Sequence, residues 1–204
     1  MVITEEKVLD SLHILKEQDQ LVLLIQIVEK WSEKRPRTPQ MSLLQGEAFS
    51  RLCLLDHAWN RVQSAPDNQD RRALQVDILL QRGWVSKAQS ALVALQTIAP
   101  THPRIMEFHE RARRGVRPPT QSQAQKIVKD GDAQQLLKLS QQCLCFGKQQ
   151  VGRKILAHIL QNDPENPYVR RLLWAHKGDF TSSLGLHRLL QQVSPPENHE
   201  MEYE

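Results

Sequence analysis

Three times in this chain a glycine is followed at fixed distances by a small side chain, a bulky aliphatic one and a proline. From Gly83 the series runs Ala88, Leu95, Pro100; from Gly147 it runs Gly152, Ile159, Pro164; from Gly178 it runs Ser183, Leu190, Pro195. Each glycine ends one segment of apolar periodicity and precedes another. The glycine tolerates a tight turn out of one helix, the small residue lets two helix backbones approach, and the aliphatic one fills a core. The proline then stops the second helix. Such a chain is built from helical hairpins.

Composition agrees. Only 8 Gly are spread over 204 residues, and β-branched residues rarely alternate with polar ones, so strands are poorly supported. Gln, Leu, Ala, Lys, Arg and Glu dominate, which are good helix formers. With 40% apolar and 25% charged residues the chain has the balance of a soluble folded protein. The apolar runs, such as Leu21 to Ile25 and Ala91 to Leu95, are far shorter than the roughly 20 residues of a membrane span. The opening MVITEEKVLD lacks the pattern of a secretory signal, and a cytoplasmic location is the default expectation. The net charge of +4 permits an acidic partner without demanding one.

The glycine, small-residue and proline series resembles the tetratricopeptide family, whose loose repeat has a glycine at the hairpin turn, a small residue facing it and a proline after the second helix. The clearest copy spans Gln69 to Pro100, the next Ala133 to Pro164, and a third about Glu165 to Pro195. Upstream, Gly46, Phe49 and Ala58 keep the family's spacing, with the second helix cut short by Pro66. Further back, Leu12, Leu15, Leu21, Leu24, Val28 and Trp31 suggest an N-terminal cap hairpin closed by Pro36. Between Pro103 and Asp132 the pattern fails. An Arg-rich helix is followed there by Pro118 and Pro119, which cannot sit inside a helix, and then by a short helix.

The resemblance implies an all-α fold of antiparallel helical hairpins stacked as a right-handed superhelix and interrupted near the middle. The expected organisation is N-terminal hairpins over 1–100, irregular connector helices over 101–132, C-terminal hairpins over 133–195 and a flexible acidic tail over 196–204. Two short lobes flank the break. In such an array each hairpin buries its second helix and one side of its first, and the first helices line a concave groove that binds peptides or helices. If that geometry holds, Asp70, Asp77, Gln134, Gln141, Tyr168 and His176 lie on first helices and face the groove. The plain alternative is a set of solvated surface polars. Asp70 and Asp77, seven apart and on one helix face, repel a carboxylate, which disfavours the heat-shock co-chaperone role of some family members.

Arg104, Arg111, Arg113, Arg114 and Arg117 form the strongest local cluster of charge. Interleaved aromatics are scarce, and Glu107 and Glu110 share the helix. A solvated helix face therefore ranks first, an acidic protein surface second and nucleic acid last. Cys143 and Cys145 point to different sides of a helix, so the two do not share a metal or a disulfide; all three cysteines, with Cys53, read as small buried hydrophobes. His57, His158 and His187 read as lone helical histidines with structural or surface roles. Trp31, Trp59, Trp84 and Trp174 read as packing residues.

No phosphate loop, nucleophile elbow or metal-protease motif is present, and neither catalysis nor a cofactor is expected. The leading expectation is a non-catalytic adaptor or scaffold that holds another protein's peptide or helical segment. The alternatives are a dedicated cytoplasmic chaperone of a secretion-system subunit, and a nucleic-acid-associated protein using the Arg104 to Arg117 helix.

Overall fold

The computed structural model describes residues 4–115 and 117–176. The third glycine series, from Gly178 to Pro195, together with His187 and the acidic tail, lies outside the described residues. Among the described residues there are eleven helices and no strand. They are α1 (Glu5–Glu17), α2 (Leu21–Ser32), α3 (Pro39–Arg51), α4 (Leu55–Gln63), α5 (Gln69–Gln81), α6 (Val85–Ile98), α7 (Ile105–Arg114), α8 (Gln121–Asp130), α9 (Ala133–Cys145), α10 (Gln149–Asn162) and α11 (Pro167–Ala175). No helix among them is long and apolar enough to cross a membrane.

One hairpin geometry recurs four times. Helices α1, α3, α5 and α9 are each 13 residues long, and each is followed by a three-residue turn and a second helix. The middle residue of every turn is left-handed: Asp19 at φ 58°, Cys53 at 58°, Gly83 at 72° and Gly147 at 75°. The residue after it closes the turn by donating its N–H to a carbonyl five positions back: Gln20 to Leu15 at 2.8 Å, Leu54 to Phe49 at 2.8 Å, Trp84 to Leu79 at 3.0 Å and Lys148 to Cys143 at 2.7 Å. These bonds satisfy carbonyls that a helix end otherwise leaves unpaired. Glycine meets the turn without steric cost, and it marks only two of the four.

Capping follows the same alternation. Thr38, Asn68, Asp132 and Asn166 each accept a backbone N–H at the start of α3, α5, α9 and α11, with Pro39 and Pro167 at the first turn of α3 and α11. Asp132 and Gln135 complete a reciprocal capping box. The second helices α2, α4, α6 and α10 start directly from the left-handed turn and carry no side-chain cap. Pro66 follows the short α4, as its position requires.

Two hairpins close on a glycine twelve positions from its partner, Gly46 against the Ala58 carbonyl and Gly152 against that of Ser140. A Cβ on Gly46 would lie 3.1 Å from Val62 Cγ2, and one on Gly152 would lie 2.7 Å from Leu144 Cγ and Cδ2 and 3.1 Å from the Ser140 carbonyl. Between hairpins, α1 packs on α3, α3 on α5 and α5 on α7, while α2, α4 and α6 pack on α3, α5 and α7. The first helices thus form an inner row with neighbours on several sides. Burial follows: α3 and α5 bury eight and seven residues, while α4 and α6 bury three each. These two hairpins reverse the expectation that the second helices would be the more deeply buried, whereas the first hairpin keeps it, with six residues of α2 buried and two of α1.

The apolar interior forms two clusters. Ala73, Val76, Leu80, Leu92, Leu95 and Phe108 join α5, α6 and α7. The larger cluster holds α1 to α4 together with Leu74 and Ile78 of α5, and it also takes in Leu139, Cys143, Leu144, Leu156, Val169 and Leu172 from α9, α10 and α11. The helices on the two sides of the Pro118–Pro119 break therefore share one core.

The close approach at Gly152 gives a direct test. Gly152→Ala is expected to lower stability by about 1–3 kcal/mol, because Leu144 is buried and cannot swing clear; a denaturation midpoint equal to that of the parent would show that the α9–α10 contact is looser than this geometry.

Candidate partner-binding groove

The inner faces of the first helices enclose two adjoining cavities. One, of about 600 Å³, lies along α1, α3 and α5 and is bounded by His13, Lys16, Glu47, Asp70, Asp77 and Arg104 among others. The next, of about 370 Å³, continues from Ser50, Arg51 and Asp77, which line both, to Gln81, Arg111, Lys138, Gln141 and Tyr168. The floor is apolar where Leu43, Leu44 and Leu74 reach it, and the walls are polar.

Of the residues expected on the groove, four line these cavities. Asp70 is exposed in the larger one. Asp77 borders both and is already engaged, since Arg111 Nη1 stands 2.6 Å and Arg104 Nη2 3.4 Å from its Oδ1, and its side chain is 15% exposed. Gln141 donates from Nε2 to the Tyr168 hydroxyl at 2.7 Å in the smaller cavity. Burial pushes the Tyr168 phenol up from its ordinary value. Gln134 is exposed near the start of α9 and lines neither cavity.

His176 also lies away from both cavities. It follows α11, its Nε2 stands 2.8 Å from the Leu52 carbonyl in the α3–α4 turn, and its Nδ1 stands 2.7 Å from Gln149 Oε1. The residue joins the C-terminal helices to the N-terminal ones. Arg171 does likewise through Asp19 of the α1–α2 turn, at 2.7 Å, and Cys145 contacts Gln81 Oε1 at 3.8 Å. These three contacts land on or beside the left-handed turns, at the tips of the first three hairpins.

The five arginines separate into three environments. Arg104 and Arg111 turn inward to Asp77 and Glu107. The hydrogen bond from Arg104 holds the Glu107 carboxyl below the usual range, with Arg111 adding to it. Arg113 and Arg114 stand 78% and 73% exposed and both meet Glu110. Arg117 lies with Pro118 and Pro119 beside a separate cavity of about 840 Å³ bounded by α8 and α9. A sequence cluster becomes three sites because the helical rotation of α7 and the proline break aim its members apart.

Of the tryptophans, Trp84 remains 44% exposed beneath Arg82 and Lys87, while Trp31, Trp59 and Trp174 are partly buried against the core. His57 stacks on Phe49 at 5.2 Å. Among the described residues no group of three His, Cys, Asp or Glu side chains is placed to hold a metal. Sequence reasoning missed the meeting of Cys53 with Cys145, because the two are far apart in the chain and neither belongs to a spaced motif.

No family model, curated protein or solved structure matches this chain.

Two outcomes follow from this geometry. Replacing Asp77 by Asn leaves Arg104 and Arg111 with Glu107 as their remaining shared anion and is expected to cost about 1–3 kcal/mol, read from urea denaturation; an unchanged midpoint would mean the pair is fully solvated. The second concerns acid. Burial holds the His176 imidazole below its ordinary range, outweighing the hydrogen bond to Leu52. The unfolded chain, with a value of about 6.5, then binds the proton more readily, so this contribution is present above about pH 6.5 and is lost as the pH falls. The protection factors of the α11 amides, taken against the intrinsic exchange rate at each pH, should fall between about pH 6.5 and 5 in the parent and show no such step in His176→Gln.

Proposed function

We propose that this protein is a tetratricopeptide-like repeat whose hairpins stack in a right-handed superhelix, and that it acts as a non-catalytic adaptor holding a peptide or helical segment of another protein along its first helices. The observation that carries this reading is the pair of adjoining cavities lined by first helices, continuous through Ser50, Arg51 and Asp77. The fourfold hairpin geometry, with 13-residue first helices, left-handed turns and second helices covering the next hairpin, supports the family assignment. The groove presents polar walls over an apolar floor, which suits an amphipathic segment: its apolar side chains would be buried and its polar atoms would find partners along the walls.

The chaperone reading rests on size and expected location alone. Nucleic acid binding through the Arg104 to Arg117 helix gains nothing from arginines that face three directions, two of them spent on Asp77.

Affinity capture with the intact chain, followed by substitution, tests the adaptor reading. Asp70→Arg and Lys138→Glu alter exposed groove residues, whereas Gln134→Arg alters an exposed position outside both cavities. Partner recovery should fall at least about tenfold with either groove variant, the equivalent of about 1.4 kcal/mol, and stay at the parental level with Gln134→Arg. Equal recovery from all three would remove the groove assignment.

A further inference from the structure

The three thiols are free, and two of them meet. Cys53 is the left-handed residue of the α3–α4 turn and is 6% exposed. Cys145 is the last residue of α9 and is partly exposed. The Cys53 thiol lies beside that of Cys145, each influencing the other's ionisation, and the Cys145 thiol contacts Gln81 Oε1 at 3.8 Å. Both line the 370 Å³ cavity and a neighbouring one of about 450 Å³ formed between the hairpin tips. Cys143 is buried on another side of α9 within the apolar core.

We propose that Cys53 and Cys145 form a redox site, closing to a disulfide under a hydroperoxide and thereby tethering the C-terminal helices to the hairpin tips. Two features single out Cys145 as the thiol attacked by oxidant. It borders the cavities with partial exposure, and the neighbouring Cys53 draws its thiol down while Cys145 and burial hold Cys53 up. In the first step the Cys145 thiolate attacks one peroxide oxygen, the O–O bond breaks, and a sulfenic acid forms as hydroxide leaves to be protonated to water. In the second the Cys53 sulfur, giving up its proton, attacks the Cys145 sulfur; the S–O bond breaks and the hydroxyl departs as a second water. Two thiols and one hydrogen peroxide become one disulfide and two waters, each sulfur losing one electron.

The consequence lies in what the bond spans. No helix pair across this joint packs as closely as those inside the hairpins; polar contacts at Asp19, Leu52 and Gln81 and a shared apolar cluster hold it. A covalent link between residues so distant in the chain removes most of the joint's freedom to open. Because the bond lies at the edge of the smaller cavity, oxidation fixes the separation between α3 and α9 there.

The test uses the full chain, reduced and then treated with hydrogen peroxide. The mass should fall by two hydrogens, peptide mapping should recover Cys53 linked to Cys145, and dithiothreitol should reverse the change. Cys143→Ser should behave identically. In Cys53→Ser, Cys145 should stop at a sulfenic acid captured by dimedone. If that variant fails to fold, Cys145→Ser serves instead, with no internal link and with Cys53 resisting oxidation. Backbone amides of α9 should exchange at least about tenfold more slowly in the oxidised chain. Oxidation of Cys145 without a link, a link made through Cys143, or thiols untouched by peroxide would each overturn the proposal.

Discussion

A single backbone requirement, the left-handed residue that closes each hairpin, governs the rest of this structure. An L side chain in that conformation brings Cβ against the following carbonyl, at a cost of about 1–2 kcal/mol. Glycine escapes it, and Gly83 and Gly147 do so. Once the turn is fixed, so is the direction in which the second helix leaves, and with it the pairing of positions twelve apart where small residues let the backbones close. The side-chain caps on α3, α5 and α9 and their absence on the second helices fit the same geometry, since a second helix begins inside the turn that ends the first.

Both turns that lack glycine receive contacts from the C-terminal helices. Asp19 tolerates the left-handed conformation better than most residues, and its carboxylate receives Arg51 of α3 and Arg171 of α11. Cys53 carries the greater strain, and its side chain is buried against Cys145. Next to it, the Leu52 carbonyl meets His176. A side chain at a tip costs backbone energy, and here that cost is offset by a contact that glycine has no atoms to make. The hairpin tips thus serve both as turns and as a docking edge.

Charge is handled within the fold as much as at its surface. Glu29 of α2 receives Arg37, Arg61 and the buried Gln45, tying the outer side of the first two hairpins together. Asp77 gathers Arg104 and Arg111 where the cavities meet. A surface that looks strongly basic in sequence is largely self-compensated, so the proposed partner would be recognised more by shape and by apolar side chains over the floor than by net charge.

How much of this was legible beforehand depends on the range of the interaction concerned. The all-helical class, the hairpins at Gly83 and Gly147, the early stop at Pro66 and the break at Pro118 and Pro119 were readable, because turn and helix chemistry acts over a few neighbouring residues. The turns at Asp19 and Cys53 were not, since nothing local distinguishes an aspartate or a cysteine held left-handed by contacts elsewhere. Of the residues that the family resemblance put on a groove, Asp70, Asp77, Gln141 and Tyr168 line the cavities, whereas His176 meets Leu52 and Gln134 lies outside. The sequence by itself determined which segments become helices and where the hairpins at Gly83 and Gly147 fold. Only the tertiary structure decided that α9 to α11 return to the tips of the first hairpins, that five adjacent arginines divide among three environments, and that Cys53 meets Cys145. Those outcomes rest on contacts between residues distant in the chain, and periodicity along a sequence carries no record of them.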